Sequence, residues 1–214
     1  MDSMQIDTII VGPFEVNCYL IKNQEDNNGV IVDPGGDERA IIDRINRSGL
    51  IPKGILLTHG HGDHIAAVKP LVEKYQIPIY VGKGDEPLLA SPSANVSALF
   101  GFSIVCPPPD YLLSDGDQIE VAGFRFDVLG APGHTPGGVC YLVENFLFCG
   151  DTLFSGSVGR TDLPGGSFQK LIESIDTKIL SLPDDVICYP GHGPDTTVGL
   201  ERKNNPFLTG RQFV

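Results

Sequence analysis

The sequence contains no tryptophan, two methionines, and 15 Lys and Arg against 27 Asp and Glu in 214 residues. The shortage of positive charge leaves a formal net charge of −12. That balance argues against a nucleic-acid partner, because binders of a phosphate backbone carry basic patches. No run approaches the roughly 20 apolar residues of a membrane span. The opening Met1-Asp2-Ser3-Met4-Gln5-Ile6-Asp7 lacks the basic and apolar regions of a secretory signal, so a cytoplasmic location is expected. The five cysteines (Cys18, Cys106, Cys140, Cys149 and Cys188) form no CxxC pair and sit mostly in apolar stretches. They read as reduced, buried thiols in a reducing compartment.

What is present points to an ordered fold with many turns. Hydrophobic residues make 41% and charged residues 20%, which excludes disorder for the bulk of the chain, and 26 Gly with 17 Pro suit many short strands. The length fits a single domain over 1–214, with two similar halves at roughly 1–110 and 111–214. Strands are predicted at Gln5–Val11, Asn17–Lys22, Val30–Asp33 and Gly54–Thr58, then at Ile77–Val81, Gln118–Ala122, Phe124–Leu129, Val139–Glu144, Phe146–Cys149 and Val186–Tyr189. Helices are predicted from an Asp37 cap to Ser48 with Gly49 as the stop, over Ile65–Tyr75 despite Pro70, and over Ser167–Leu182. The stretch Asp85–Phe100 reads as irregular or weakly helical, and the tail Glu201–Val214 as extended chain.

The order repeats. Cys18-Tyr19-Leu20-Ile21 leads to a strand ending at Asp33, a helix, and a strand running into His59. Cys140-Tyr141-Leu142-Val143 leads likewise to Asp151, a helix, and a strand running into His192, with an extra loop from about Leu153 to Gly166. Two such units can pack sheet against sheet with helices outside and bring their strand ends to one edge.

All five histidines fall beside turn residues, and three of them share Thr58-His59-Gly60-His61-Gly62-Asp63-His64. The glycines let the backbone turn sharply between the imidazoles. His59 and His61 can then reach one centre while Asp63 and His64 reach another beside it. His134 lies in Gly133-His134-Thr135-Pro136, His192 in Pro190-Gly191-His192-Gly193, and Asp151 in Cys149-Gly150-Asp151-Thr152, each just past an apolar strand. Imidazole and carboxylate together suit zinc, and also iron or manganese.

The run His59-x-His61-x-Asp63-His64, followed by His134, Asp151 and His192, resembles the signature of the metallo-β-lactamase fold superfamily. The resemblance covers essentially the whole chain. It implies an α+β fold, a four-layer αββα sandwich of two mixed β-sheets flanked by helices, with two divalent metal ions, zinc foremost, at one edge. It further implies that His59, His61 and His134 hold one ion, that Asp63, His64 and His192 hold the second, and that Asp151 bridges them. Asp63 and Asp151 are thereby catalytic candidates as well as ligands. Asp33, the first-half counterpart of Asp151, has no ligand role in the family and is read as structural. A pair of divalent ions lowers the pKa of a shared water from about 15.7 toward about 7 and so makes a hydroxide nucleophile available.

With every histidine committed to a metal, no strong general acid remains, which favours a thiolate leaving group. The stretch from Cys149 to Asp162 looks like the glyoxalase II branch, the hydroxyacylglutathione hydrolases, and Arg160 stands where that branch has a basic residue meeting glutathione. Tyr189-Pro190-Gly191-His192-Gly193-Pro194 and Glu201–Leu208 match its short, single-domain group better than the longer enzymes. The resemblance therefore implies a small-molecule thioester substrate such as S-lactoylglutathione. Three other readings use the same residues or fold. One is a persulfide dioxygenase with a single iron on His59, His134 and Asp151; the others are a nuclease, disfavoured by charge, and a non-catalytic scaffold without metal.

Overall fold

The computed structural model of the chain describes residues 4–209. The first sheet contains β1 (Met4–Val11), β2 (Val16–Asn23), β3 (Asn28–Val32), β4 (Ile51–Leu57), β5 (Ile79–Gly82) and β6 (Tyr111–Leu113), paired in that order. The β1/β2 and β2/β3 pairs are antiparallel, and the pairs from β3 to β6 are parallel. The second sheet runs β14 (Thr196–Thr197), β13 (Ile187–Pro190), β10 (Phe146–Gly150), β9 (Val139–Val143), β8 (Phe124–Gly130) and β7 (Gln118–Val121). Only its β10/β13 pair is parallel. In both sheets two antiparallel strands are followed by a helical crossover to a parallel strand, β2–β3–β4 in one and β9–β10–β13 in the other.

Strand periodicity assigns side chains to layers. Successive residues on a strand point to opposite faces, so a strand covered on both sides is apolar throughout. Ile55 and Leu57 of β4 face the outer layer formed with α1 (Glu38–Ser48) and α3 (Val68–Tyr75), where Ile41, Ile45, Val68 and Leu71 are buried. Leu56 between them faces inward and joins Ile21, Val30, Val32, Phe126, Tyr141 and Phe148 between the sheets. A third cluster sets Cys140, Leu147, Cys149 and Cys188 against Leu171, Ile175 and Ile179 of the helix on the other outer face. Three apolar layers thus separate helices, sheet, sheet and helices, the αββα sandwich that the sequence implied. Each fully buried Leu or Ile in them contributes about 1.5–3 kcal/mol.

Several local expectations are corrected. The helix expected over Ile65–Tyr75 is two: α2 (Gly62–Ile65), which takes in Asp63 and His64, and α3, which begins at Val68. Pro70 falls in the first turn of α3, where backbone N–H groups have no helical partner to lose. His64 therefore sits on a helical turn rather than in a loop. Asp37 is the N-cap of α1 as expected, in a left-handed conformation, but its side chain makes no capping hydrogen bond: its carboxylate accepts from Gly12 N–H at 2.8 Å instead. Gly49 ends α1 as expected, at φ 69°. The segment after β5 contains α4 (Glu86–Leu89) and a 3-10 turn at Ser97–Phe100, consistent with weak helicity.

The helix after Ser167 is α5 (Phe168–Ser174), continued by a π-helical stretch over Ile175–Ile179. The tail is not wholly extended: α6 (Val198–Asn204) starts from a Thr197 cap whose hydroxyl accepts from Leu200 N–H, while residues 210–214 lie outside the described residues. The loop after Asp151 carries a small hairpin, β11 (Leu153–Phe154) with β12 (Ser157–Val158). All five cysteines are free and buried. Among the described residues no helix is long and apolar enough to cross a membrane.

Candidate metal centre

The seven residues singled out in the sequence leave four strand ends, those of β4, β8, β10 and β13, and converge on one point. His59, His61 and His134 bring ring nitrogens within 4.8 Å of one another, and the donor atoms of Asp63, His64 and His192 form a second group within the same limit. Asp151 lies between them. One of its oxygens is 3.4 Å from His64 Nε2, and the other is 3.5 Å from His134 Nε2 and 3.6 Å from His192 Nε2. His192 Nε2 is also 3.6 Å from Asp63 Oδ2. Close backbone approach makes this convergence possible at Gly191, where a Cβ would collide with Asp151 Oδ1 and lie 2.6 Å from His64 Cε1.

Four imidazoles are held from behind through Nδ1. Thr58 Oγ1 lies 3.1 Å from His59, the Asp33 carboxylate 3.0 Å from His64, the Arg160 carbonyl 2.7 Å from His134 and the Phe14 carbonyl 2.9 Å from His192. Each of these oxygens is an acceptor for an Nδ1–H; the Thr58 hydroxyl already donates its own hydrogen to Asp33 at 2.5 Å. A hydrogen is therefore held on each Nδ1 and each Nε2 is turned toward the centre. His61 differs, with its Nδ1 facing His134 Nε2 at 2.9 Å.

The atoms aimed inward make no hydrogen bonds, although His64 Nε2 and Asp151 Oδ1 face each other at 3.4 Å. His59 Nε2, His61 Nε2, His64 Nε2 and Asp151 Oδ1 are buried without a hydrogen-bond partner. Leaving one buried polar atom unpaired costs about 1–3 kcal/mol, so His59 Nε2 and His61 Nε2, which have no carboxylate beside them, mark with that pair a site shaped for something absent from the chain itself. Imidazole nitrogens beside ionised carboxylates fit a divalent cation, which would displace any proton held on His64 or His192.

Electrostatics follow the same division. Burial, reinforced by the neighbouring imidazoles, holds His59 well below the usual histidine range, and burial with His134 brings His61 down to about 3. Burial also pulls on His64, but the charges of Asp151 and Asp63 outweigh it and raise its pKa. His192 is raised against burial by its hydrogen bond to Asp63 and the charge of Asp151. Burial pushes Asp63 and Asp151 up, and His64 in particular overrides it, leaving both below the ordinary carboxylate range.

Three residues support the centre, of which Asp85 and Asn17 escaped the sequence reading. Asp33, read there as structural, accepts from Thr58 N–H, Thr58 Oγ1–H and His64 Nδ1–H, and so orients two imidazoles at once. The signal available was its place at the end of β3, matching Asp151 at the end of β10. Asp85, fully buried, accepts from Gly60 N–H at 2.9 Å and Gly137 N–H at 2.6 Å, clamping the His59–His61 loop to the His134 loop. Asn17 donates to the carbonyls of Pro190 and Gly193 and braces the loop of His192. Arg160, the sequence candidate for substrate contact, lies at the rim of the adjoining cavity with its side chain 56% exposed. It is paired with Asp162 through two 2.8 Å hydrogen bonds.

A two-sheet sandwich carrying this histidine and carboxylate set at one edge defines the class of metal-dependent hydrolases built on the metallo-beta-lactamase fold. The model of the metallo-beta-lactamase superfamily matches residues 11–192, and the chain belongs to that superfamily. It is 38% identical to hydroxyacylglutathione hydrolase GloC of Haemophilus influenzae (strain ATCC 51907 / DSM 11121 / KW20 / Rd), over 97% of this chain and 100% of that protein. A crystal structure of BLEG-1 B3 metallo-beta-lactamase superposes with TM-score 0.93 at 44% identity, covering 96% of this chain and 100% of that one. A crystal structure of TTHA1623 in a di-iron-bound form superposes with TM-score 0.85 at 41% identity, over 94% and 100%.

Proposed function

We propose that the protein is a thioester hydrolase that works with two divalent metal ions, with S-lactoylglutathione as the reference substrate. The observation that carries this reading is the set of orphaned inward atoms on His59, His61, His64 and Asp151. His59, His61 and His134 would hold one ion, Asp63, His64 and His192 the other, and Asp151 both. Imidazole and carboxylate donors suit zinc, iron and manganese, and zinc is the first expectation. When bound, such ions supply Lewis acidity and a water acidic enough to react near neutral pH.

The protein's own residues supply orientation and charge. Asp33, Thr58 and the carbonyls of Phe14 and Arg160 keep four imidazoles turned inward before any ion arrives. Asp63 and Asp151 remain ionised, so they can hold cations and accept a hydrogen bond from the attacking water. In the reaction, water oxygen adds to the thioester carbonyl and its two protons pass to bulk water, the C–S bond breaks, sulfur leaves with the electron pair as a thiolate, and the acyl group is released as a carboxylate. Apart from the seven, the titratable groups lining the cavity are Asp37 and Arg160, already engaged by Gly12 N–H and Asp162. Among the described residues the cavity thus offers no further strong acid to a leaving group, which suits a thiolate, whose conjugate thiol has a pKa of about 8.5. Arg160 retains donors beyond those given to Asp162 and would meet a carboxylate on the thiol part of the substrate. The GloC relative supports the choice of thioester, and the buried reduced thiols suit a cytoplasmic setting.

The test is a metal assay and a thioester-cleavage assay on one preparation. Two ions per chain with release of thiol is the expected result. One tightly held iron with oxygen uptake on glutathione persulfide would overturn it in favour of a dioxygenase, and a metal-free protein with no turnover in favour of a scaffold.

A further inference from the structure

The cavity beside the centre, about 620 Å³, is built mostly of apolar side chains. Phe14 from the β1–β2 turn, Val96, Phe100, Phe102 and Ile104 from the segment after α4, and Phe154 from the small hairpin all line it. Arg160 is the one Lys or Arg side chain among its lining residues. Phe100 and Phe102 remain 48% and 46% exposed, a costly state for two neighbouring aromatic side chains unless something is to cover them. Phe14 and Phe100 meet edge to face at 4.8 Å and join the two segments across the mouth.

This wall is tied to the centre. Val96 has φ 58°, a left-handed backbone that a β-branched residue adopts only under constraint. The constraint is Asn95, fully buried, whose amide donates to the carbonyls of Leu88 and Ile104 and whose side-chain oxygen accepts from Ser97 N–H. Its backbone carbonyl accepts from Gly62 N–H, between His61 and Asp63. On the other side, the Phe14 carbonyl holds His192 while its ring faces the cavity. Arg160 stands behind a different imidazole, that of His134.

Resting on the thioester reading above, we infer that the acyl group of the preferred substrate is a bulky apolar one of about eight carbons, lodged against Phe14, Phe100 and Phe102. The thiol part then lies toward Arg160. A lactoyl group, with three carbons and a hydroxyl, leaves this wall uncovered, whereas each methylene buried on it is worth about fourfold in binding.

Two measurements test this. The kcat/KM of the metal-loaded protein is compared for S-octanoylglutathione and S-lactoylglutathione, with an expected preference of at least about 30-fold for octanoyl. The double variant Phe100→Ser, Phe102→Ser, at positions already half in solvent, should bring that ratio below about threefold. Independently of turnover, S-octylglutathione and S-methylglutathione are titrated calorimetrically into metal-free protein, where the octyl compound should bind at least about 30-fold tighter with a negative heat-capacity change. Tight octyl binding to a protein that cleaves no thioester would uphold the apolar subsite and sink the hydrolase reading. Cleavage of both thioesters with equal efficiency would uphold the hydrolase and overturn this inference, as would equal binding of the two thioethers.

Discussion

Replacing Asp85 with Asn separates loop clamping from metal ligation. Asp85 touches no inward-facing atom of the centre, yet its two oxygens hold Gly60 N–H and Gly137 N–H, one on each of two ligand loops. The clamp is tight because the backbones abut: a Cβ on Gly137 would collide with Asp85 N and lie 2.7 Å from Gly84 Cα. Asn can accept from one of the two amides, but its own NH₂ must face the other. One charge-assisted hydrogen bond is lost, about 1.5–3 kcal/mol, and one buried N–H is left unpaired. Part of this is offset, because burial already penalises the Asp85 carboxylate and raises its pKa. The net loss is about 2 kcal/mol, and for a chain of this length that lowers Tm by roughly 4–8 °C.

The same change should be felt unequally by the two ions. The site of His59, His61 and His134 spans the clamp, whereas His64 and His192 are braced by Asp33, Phe14 and Asn17. Loss of outer support weakens metal binding by about 10- to 100-fold. Calorimetric unfolding of the metal-free proteins, which avoids stabilisation by bound ions, measures the first effect. Titration with a chromophoric chelator resolving two release steps measures the second. An unchanged Tm, or two ions weakened to the same degree, would refute the reasoning.

Asp151→Ala should abolish loading of the ion pair and turnover together, since one side chain faces His64, His134 and His192; metal analysis and thiol release on the same sample check this. Arg160→Ala should raise KM for S-lactoylglutathione more than it lowers kcat. It should leave metal content unchanged, because His134 is held by the backbone carbonyl and not by the guanidinium. The cysteines should resist alkylation in the native protein: burial pushes Cys106, Cys140 and Cys188 up to about 12, so at pH 8 the thiolate fraction is about 10⁻⁴. Thiol titration should find fewer than one reactive group before denaturation and all five after it.

How much of this was legible in the sequence depended on the kind of signal. Continuous apolar runs such as Ile55–Leu57 announced strands buried on both faces, and the repeated order ending at His59 and His192 placed the strand ends together. The break between α2 and α3 was hidden because Ile65 and Val68 continue one helical-looking apolar pattern, while the chain turns at Ala66 and Ala67. The seven centre residues could be read because scarce histidines beside glycines are conspicuous. Asp33 was marked as structural by its place as the counterpart of Asp151, but Asp85 and Asn95 were not legible, because nothing local tells a carboxylate or amide that it will meet a backbone amide from a distant loop. Arg160 pairs with Asp162 only two residues along the chain, a contact within local reach that a reading of Arg160 as a substrate-binding cation passes over.

Two imidazoles are steadied by peptide oxygens, those of Phe14 and Arg160, rather than by the side chains of those residues. Both side chains can therefore be exchanged without disturbing how His134 and His192 present themselves. Descendants of such a protein are free to retool what they accept at the rim while the reactive machinery stays put, and a laboratory selection for new substrates should concentrate its changes at these two positions.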